Sequence, residues 1–479
     1  MPLLDPTLWQ DGPTLTGGTA PAVEPATGRT LATLDLASPA DVAEAAVRAR
    51  AAQREWAGTT HSERAAVLRR AGDLFAEHAD ELREWLVRES GSIPGKADFE
   101  LHVAAQECHE AAALASRPSG HVLPSEAPRL SFTRRVPAGL VGVVAPFNAP
   151  LILSIRSVAP ALALGNAVLL KPDHRTAVCG GLALAAVFAA AGLPAGLLHV
   201  LPGGSEVGAT LVTDPRVRVV SFTGSTAVGR EVGELAGRHL KRAHLELGGN
   251  SALVVLADAD VEAAVAQASW GSFFHQGQIC MTAGRHLVHA SLYDEYVERL
   301  AARAEALVVG DPHRERVHLG PLLDRGQLRR VHGLVEASVD EGAKLVAGGT
   351  HQDLFYRPTV LAAVADDTPA YAEEVFGPVA PVRSFATEDE AVALASAGPY
   401  GLSLGIVTRD AAHGLEVADR IPTGIAHVND QTVNDEAVAP FGGVGVSGTG
   451  ARFGGEANLD AFTELRWTTL RATAPGHPF

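Results

Sequence analysis

At 479 residues the chain is long enough for two or three domains, each with its own core. Hydrophobic residues make up 47% and charged residues 20%, the balance of a globular protein. The formal net charge of -16 excludes a nucleic acid or an anionic membrane surface as partner, because both demand positive surface.

The opening MPLLDPTLWQDGP has neither the basic start nor the apolar stretch of a secretory signal. Ser38-Pro39-Ala40-Asp41 predicts a helix start, with Ser as cap, Pro at the first helical position and an acid in the first turn. Helical spacing runs on through Val42, Ala46 and Ala49, then through an Arg- and Glu-rich region, 63–89, whose charges read as solvated outer faces. Cys108, in an Ala- and Glu-rich helix, and Cys179, at the start of an Ala-rich one, are expected to pack. Only Cys280 joins them, and an odd, sparse set without CxxC or Cys/His spacing indicates neither a disulfide framework nor zinc. A cytoplasmic, reducing setting suits it.

From Gly139 to Pro172 two apolar segments, GLVGVVAP and NAVLLKP, read as buried parallel strands entering loops. Residues 176–201 contain no Asp, Glu, Lys or Arg, yet Gly192, Pro194 and Gly196 interrupt them, which predicts a buried helix, a turn and a short strand instead of a membrane span. Strands follow at 218–222 and 253–256, and the alternating FTELRWTTL near the C-terminus reads as an added edge strand. Alternating strands and helices predict an α/β architecture with parallel sheets, where ligands bind beyond the carboxyl ends of strands.

Four features of those loops carry possible chemistry. Cys280 follows Gln276-Gly277-Gln278-Ile279, a loop-favouring context for a nucleophile or for a buried thiol. Glu246, between leucines and before Gly248-Gly249, is either a general base in apolar surroundings or a carboxylate capping a loop. Asn148, between Pro146-Phe147 and Ala149-Pro150, suits an oxyanion donor or a strand-ending turn. Gly224 and Gly229 bracket a strand-to-helix turn that would let backbone approach a phosphate, though neither they nor Gly203-Gly204 to Gly208 make the G-x-G-x-x-G fingerprint.

Taken in order, Pro146-Phe147-Asn148, Lys171-Pro172, Phe222-Thr223-Gly224-Ser225, Glu246-Leu247-Gly248-Gly249, Gly277-Gln278-Ile279-Cys280, Glu374-Val375-Phe376-Gly377-Pro378 and Pro440-Phe441-Gly442-Gly443 resemble the aldehyde dehydrogenase superfamily over almost the whole chain. The resemblance implies a Rossmann-like cofactor domain (1–115 and 137–248), an α/β catalytic domain (249–450) and a small β element (116–136 and 456–475) that builds homodimers or homotetramers. It implies Cys280 as nucleophile, Asn148 and the Cys280 N–H as oxyanion donors, and Glu246 as the base that hydrolyses the thioester. Cofactor contacts carry over to Lys171, Gly203, Gly224, Ser225, Gly229, Glu374 and Phe376. The position three after the lysine, where many NAD-specific members have Glu, is His174, which removes a like charge against NADP; NAD is expected, with NADP possible.

Substrate-pocket positions carry over to Phe147, Ala149, Arg156, Phe274, Ile279, Met281, Thr432 and Val433. Phe147 stands where Trp is usual and Ala149 where many members have Phe, which widens the tunnel. The segments 155–160 and 427–436 resemble the benzaldehyde, vanillin and salicylaldehyde dehydrogenases, so an aromatic aldehyde is expected, with Arg156 either contacting a ring substituent or forming a surface or interdomain ion pair. Rival readings are an aliphatic or semialdehyde substrate, release to CoA (against which Glu246 stands), a thiol hydrolase using His275, and a non-catalytic scaffold.

Overall fold

The computed structural model describes residues 3–4, 15–117 and 119–477; most of the opening segment read above for a signal lies outside the described residues. Two parallel sheets organise the chain. The first has five strands in the spatial order Leu198–Val200, Ala167–Lys171, Leu140–Val144, Val217–Thr223, Arg242–Glu246, all parallel. The order reverses between Leu140–Val144 and Val217–Thr223, so the loops leaving these two strands open a crevice. Every strand segment predicted in this region is present, each end within two residues of its predicted place.

Helix Pro39–Gly58 packs on this sheet, while helices His61–Glu77, Ala79–Ser90 and Pro94–Leu114 pack on one another and on the sheet's own helices. The expected Ser38 cap is a full capping box, with Asp41 answering the Ser38 N–H at 2.7 Å. The Ala-rich segment differs from expectation in its first turns: Val178–Leu182 is wound as a π-helix before Ala183–Ala190 becomes α-helical. Buried Glu89 causes this locally by accepting the N–H groups of Val178 and Cys179 at 3.0 and 2.8 Å. Cys108 and Cys179 are both buried. Among the described residues no helix is long and apolar enough to cross a membrane.

The second sheet runs Lys344–Ala347, Thr359–Ala362, Val379–Phe385, Ala283–His289, Ser251–Val255, Ser403–Val407, Ile425–Val428, parallel except for its first strand. Separate apolar clusters pack its two faces, one around Val254, Leu287 and Leu404, the other around Leu253, Val288 and Val407. The chain then returns to the first core, where Phe453, Ala461 and Phe462 are buried. Strand Thr463–Leu470 finally pairs antiparallel with Leu130–Pro137, which also carries Val122–Leu123, as the edge-strand reading expects.

Candidate active site

The carboxyl ends of the first sheet face the amino ends of strands Ser251–Val255 and Ala283–His289, and the loops between them meet at Cys280. A cavity of about 440 Å³ is lined there by Phe147, Asn148, Gly224, Ser225, Thr226, Leu247, Gly248, Cys280, Glu374 and Phe376, among others. Seven residues expected from the sequence, scattered from 147 to 376, thus share one wall.

The loop leading to Cys280 is held in a costly conformation. His275, Gln276 and Gly277 are consecutively left-handed, with φ of 51°, 56° and 64°. Gln276 Nε2 fixes this bend by donating to the carbonyls of Gly91 and Pro321 at 3.1 and 2.7 Å. Gln278 accepts the Leu323 N–H at 3.1 Å. Cys280 is partly exposed, and among the described residues its N–H has no acceptor. Burial of its surroundings pushes the thiol up to about 12, Glu374 adds to this, and Arg156 opposes it. The charged groups reaching the thiol are Glu374, Arg156, Glu246 and Asp435, with no histidine among them.

Asn148 is buried where the strand Leu140–Val144 passes into helix Pro150–Ala163, and among the described residues its side-chain amide donates to nothing. Glu246 ends strand Arg242–Glu246; both its carboxylate oxygens are buried without a partner. Burial lifts its pKa to about 8 against the pull of Arg156 and Arg452. The Pro440-Phe441-Gly442-Gly443 segment closes over it, and Leu247 N–H is tied to the Ser447 carbonyl at 2.9 Å. A Cβ at Gly442 would meet Glu246 Oε1 at 2.8 Å, which explains that glycine.

Ser225 caps helix Thr226–Arg238, accepting the Val228 N–H at 3.4 Å, so this helix aims its N-terminus at the cavity. Glu374 accepts the Gly249 N–H at 3.0 Å, and a Cβ at Gly248 would strike its carboxylate. Burial raises Glu374 to about 7. Phe376 (φ 56°) stands edge-on to Phe147 with centroids 5.8 Å apart, and Arg175 covers the other ring at 4.6 Å. Gln327 and Arg330, which no sequence pattern singled out, fix this loop by donating to the carbonyls of Phe376 and Glu374 at 2.7 and 2.8 Å.

Other expected residues stand elsewhere. Gly203 and Gly229 do not line the cavity; each lacks a Cβ because Val207 and Leu247 respectively fill that space. Lys171 is half-buried at the end of its strand, and His174 is exposed beside a separate groove with Arg175 and Asp324. Ile279, Met281 and Val433 gather with Leu402, Phe441, Ile425 and Cys280 in one apolar cluster. Phe274 stacks on the exposed Trp270 at 4.3 Å, Thr432 is buried against Gly271, and Ala149 only begins its helix.

Arg156 is 1% exposed, paired through Nη2 with Asp435 and stacked on Phe441 at 4.3 Å. Its Nε and Nη1 are buried without partners. Asp435 and Phe441 also line a second opening of about 310 Å³ with Ile425, His427 and Glu436. The ion-pair alternative for Arg156 is therefore real, and it leaves two donors free.

The Aldehyde dehydrogenase family pattern matches residues 13–468. The chain is 71% identical to a vanillin dehydrogenase of Amycolatopsis sp., covering 97% of this chain and 96% of that one. It is 50% identical to the NAD(+) benzaldehyde dehydrogenase of Pseudomonas putida, over 97% and 95% of the two chains. A crystal structure of a salicylaldehyde dehydrogenase from Pseudomonas putida G7, complexed with salicylaldehyde, superposes with a TM-score of 0.92 at 37% identity, covering 96% of each chain.

Proposed function

Since this chain belongs to the aldehyde dehydrogenase family, we propose that it oxidises an aromatic aldehyde to the free carboxylic acid with a nicotinamide cofactor, through a thioester on Cys280. The observation that carries the reading is the meeting of Cys280 and Asn148 on one cavity wall, with the unpartnered Glu246 carboxyl within electrostatic reach of the thiol.

The residues present fit the cofactor. Its phosphates suit the N-terminus of helix Thr226–Arg238 at Ser225, and its nicotinamide ribose suits Glu374, which only glycine at 248 allows so close. Lys171 would take the adenosine ribose. Asp173 and Glu206 both act on the Lys171 charge, opposed by Arg175, so a 2′-phosphate arriving there meets two carboxylates as well as a cation, while His174 adds no third carboxylate. NAD is therefore preferred and NADP still used. When bound, the nicotinamide supplies the hydride acceptor.

The chain supplies the rest. The Cys280 thiol gives up its proton to solvent and its thiolate Sγ adds to the carbonyl carbon, which cannot release hydride until it is tetrahedral. The Asn148 amide and the Cys280 N–H receive the oxyanion. Loss of hydride leaves a thioester. Glu246 then takes a proton from water, the hydroxide adds to the acyl carbon, and the acid departs as the Cys280 thiol is restored.

The apolar surround of Ile279, Met281, Leu402, Val433 and Phe441 suits a flat ring, and the free Nε and Nη1 of Arg156 suit a ring hydroxyl. Release as free acid follows from Glu246, and a cytoplasmic setting from three free cysteines. A reduced-cofactor absorbance screen of aromatic and aliphatic aldehydes, with NAD and NADP, tests the reading. Aromatic aldehydes are expected to give the higher kcat/KM, with NAD ahead and NADP measurable. An aliphatic preference would overturn the substrate class, and no NADP turnover at saturation would overturn the cofactor tolerance.

A further inference from the structure

Lys96 and Glu100 form an ion pair one turn apart on helix Pro94–Leu114, and both side chains are almost wholly buried. A charge pair this deep contributes little net stability, because desolvation offsets the attraction. Both partners reach the same loop. Lys96 Nζ donates to the backbone carbonyl of Asn148 at 2.7 Å. Glu100 Oε2 accepts the N–H groups of Leu151 and Ile152 at 3.0 and 3.4 Å.

Those N–H groups open helix Pro150–Ala163, which has no side-chain cap of its own. Glu100 therefore serves as its cap from another helix, with the favourable charge for a helix N-terminus. Lys96 pins the peptide immediately before it. His275, on the loop leading to Cys280, is buried within electrostatic reach of Lys96 and beside the Asn148 backbone. The pair thus spans the ground between the amide and the nucleophile.

We infer that Lys96 and Glu100 are positioning residues that hold the Asn148 amide in register with Cys280, so that it meets the oxyanion as it forms. This rests on the reading of Asn148 as oxyanion donor. Neither residue touches substrate; each acts through the Asn148 loop. Oxyanion donors act over a narrow range of distance, and an ångström of misplacement is enough to cost about a hundredfold in rate.

The test is a cycle on the full-length enzyme comprising Asn148→Ala, the double variant Lys96→Met/Glu100→Gln, and the combined triple variant. The double variant removes both charges together, so neither is stranded, and Gln keeps an acceptor for the Leu151 N–H. Single-turnover formation of reduced cofactor is read with benzaldehyde and NAD. Asn148→Ala is expected to slow it about 100-fold or more. The double variant should slow it roughly tenfold or more, with each KM held within about twofold. The triple variant should be no slower than Asn148→Ala. A double variant as fast as wild type, or one that slows Asn148→Ala by the factor by which it slows wild type, would overturn the positioning role. Wild-type rate in Asn148→Ala would instead overturn the oxyanion reading, and the positioning role with it. If the double variant does not fold, Glu100→Asp, which keeps the charges and shortens the reach to Leu151, takes its place with the same outcomes.

Discussion

With both oxygens buried and unpartnered, the Glu246 carboxyl stays largely protonated up to about pH 8, and only its ionised form can take a proton from water. Thioester hydrolysis should therefore rise with pH through about 8 and level off above it. Glu246→Gln should keep the first burst of reduced cofactor, lower the steady-state rate by about 10²–10⁴-fold, and abolish that rise. Stopped-flow absorbance across pH 6–9 (roughly two units around the raised pKa) checks all three. Arg156 makes a second prediction. A ring hydroxyl bonded to a charged donor is worth about 1.5–3 kcal/mol, so Arg156→Ala should raise KM for hydroxylated benzaldehydes about tenfold more than for benzaldehyde. Equal effects in steady-state kinetics would remove Arg156 from specificity. Locally Cys280, Glu246 and Asn148 each kept a structural alternative, and only the resemblance over seven ordered motifs implied their roles; as candidates they were legible, since each breaks the local norm. The Arg156–Asp435 pair was not, since 279 residues separate its members and no local pattern ties them. Lys96 and Glu100 left a faint trace, an i,i+4 charge pair on a helix that buries mostly apolar residues.

Strand-to-helix turns are where local chemistry and tertiary packing divide the work. Ser225, two residues beyond strand Val217–Thr223, caps the next helix, a role its residue type suggests. Gly229 looked equally like part of that anion-binding turn, but its role depends on Leu247, one strand away, which local reading cannot see. The π-helical turn at Val178–Leu182 was hidden for the same reason, because Glu89 imposes it from a distant helix. Gly229→Ala should push helix Thr226–Arg238 off Leu247, costing about 1–3 kcal/mol and raising KM for NAD. Gly237→Ala, on the same helix with open space around it, should be neutral or stabilising by up to about 1 kcal/mol. Thermal unfolding midpoints and cofactor KM values for the two variants, side by side, check this. A similar response from both would mean that helix propensity, not packing on Leu247, decides.

At the scale of the molecule, parallel sheets and an added edge strand were readable from strand patterning, because buried parallel strands are almost continuously apolar. How the sheets face each other was not, since it depends on loops that carry few regular patterns. The small sheet leaves Leu465 and Trp467 61% and 63% exposed on its edge strand, with Leu470 and Val122 nearby. Such an edge is unusual on a free monomer, and we expect it to pair with a second copy. Leu465→Glu should shift the mass measured by light scattering after size exclusion toward a monomer; an unchanged mass would place the interface elsewhere. The account as a whole depends on a covalent acyl group at one thiol. Glu246→Gln mixed with benzaldehyde and NAD, then quenched in acid and digested, should give a peptide containing Cys280 that carries a single benzoyl group, seen by mass spectrometry. A benzoyl group on any other residue, or an unmodified Cys280 after reduced cofactor has formed, would contradict the account.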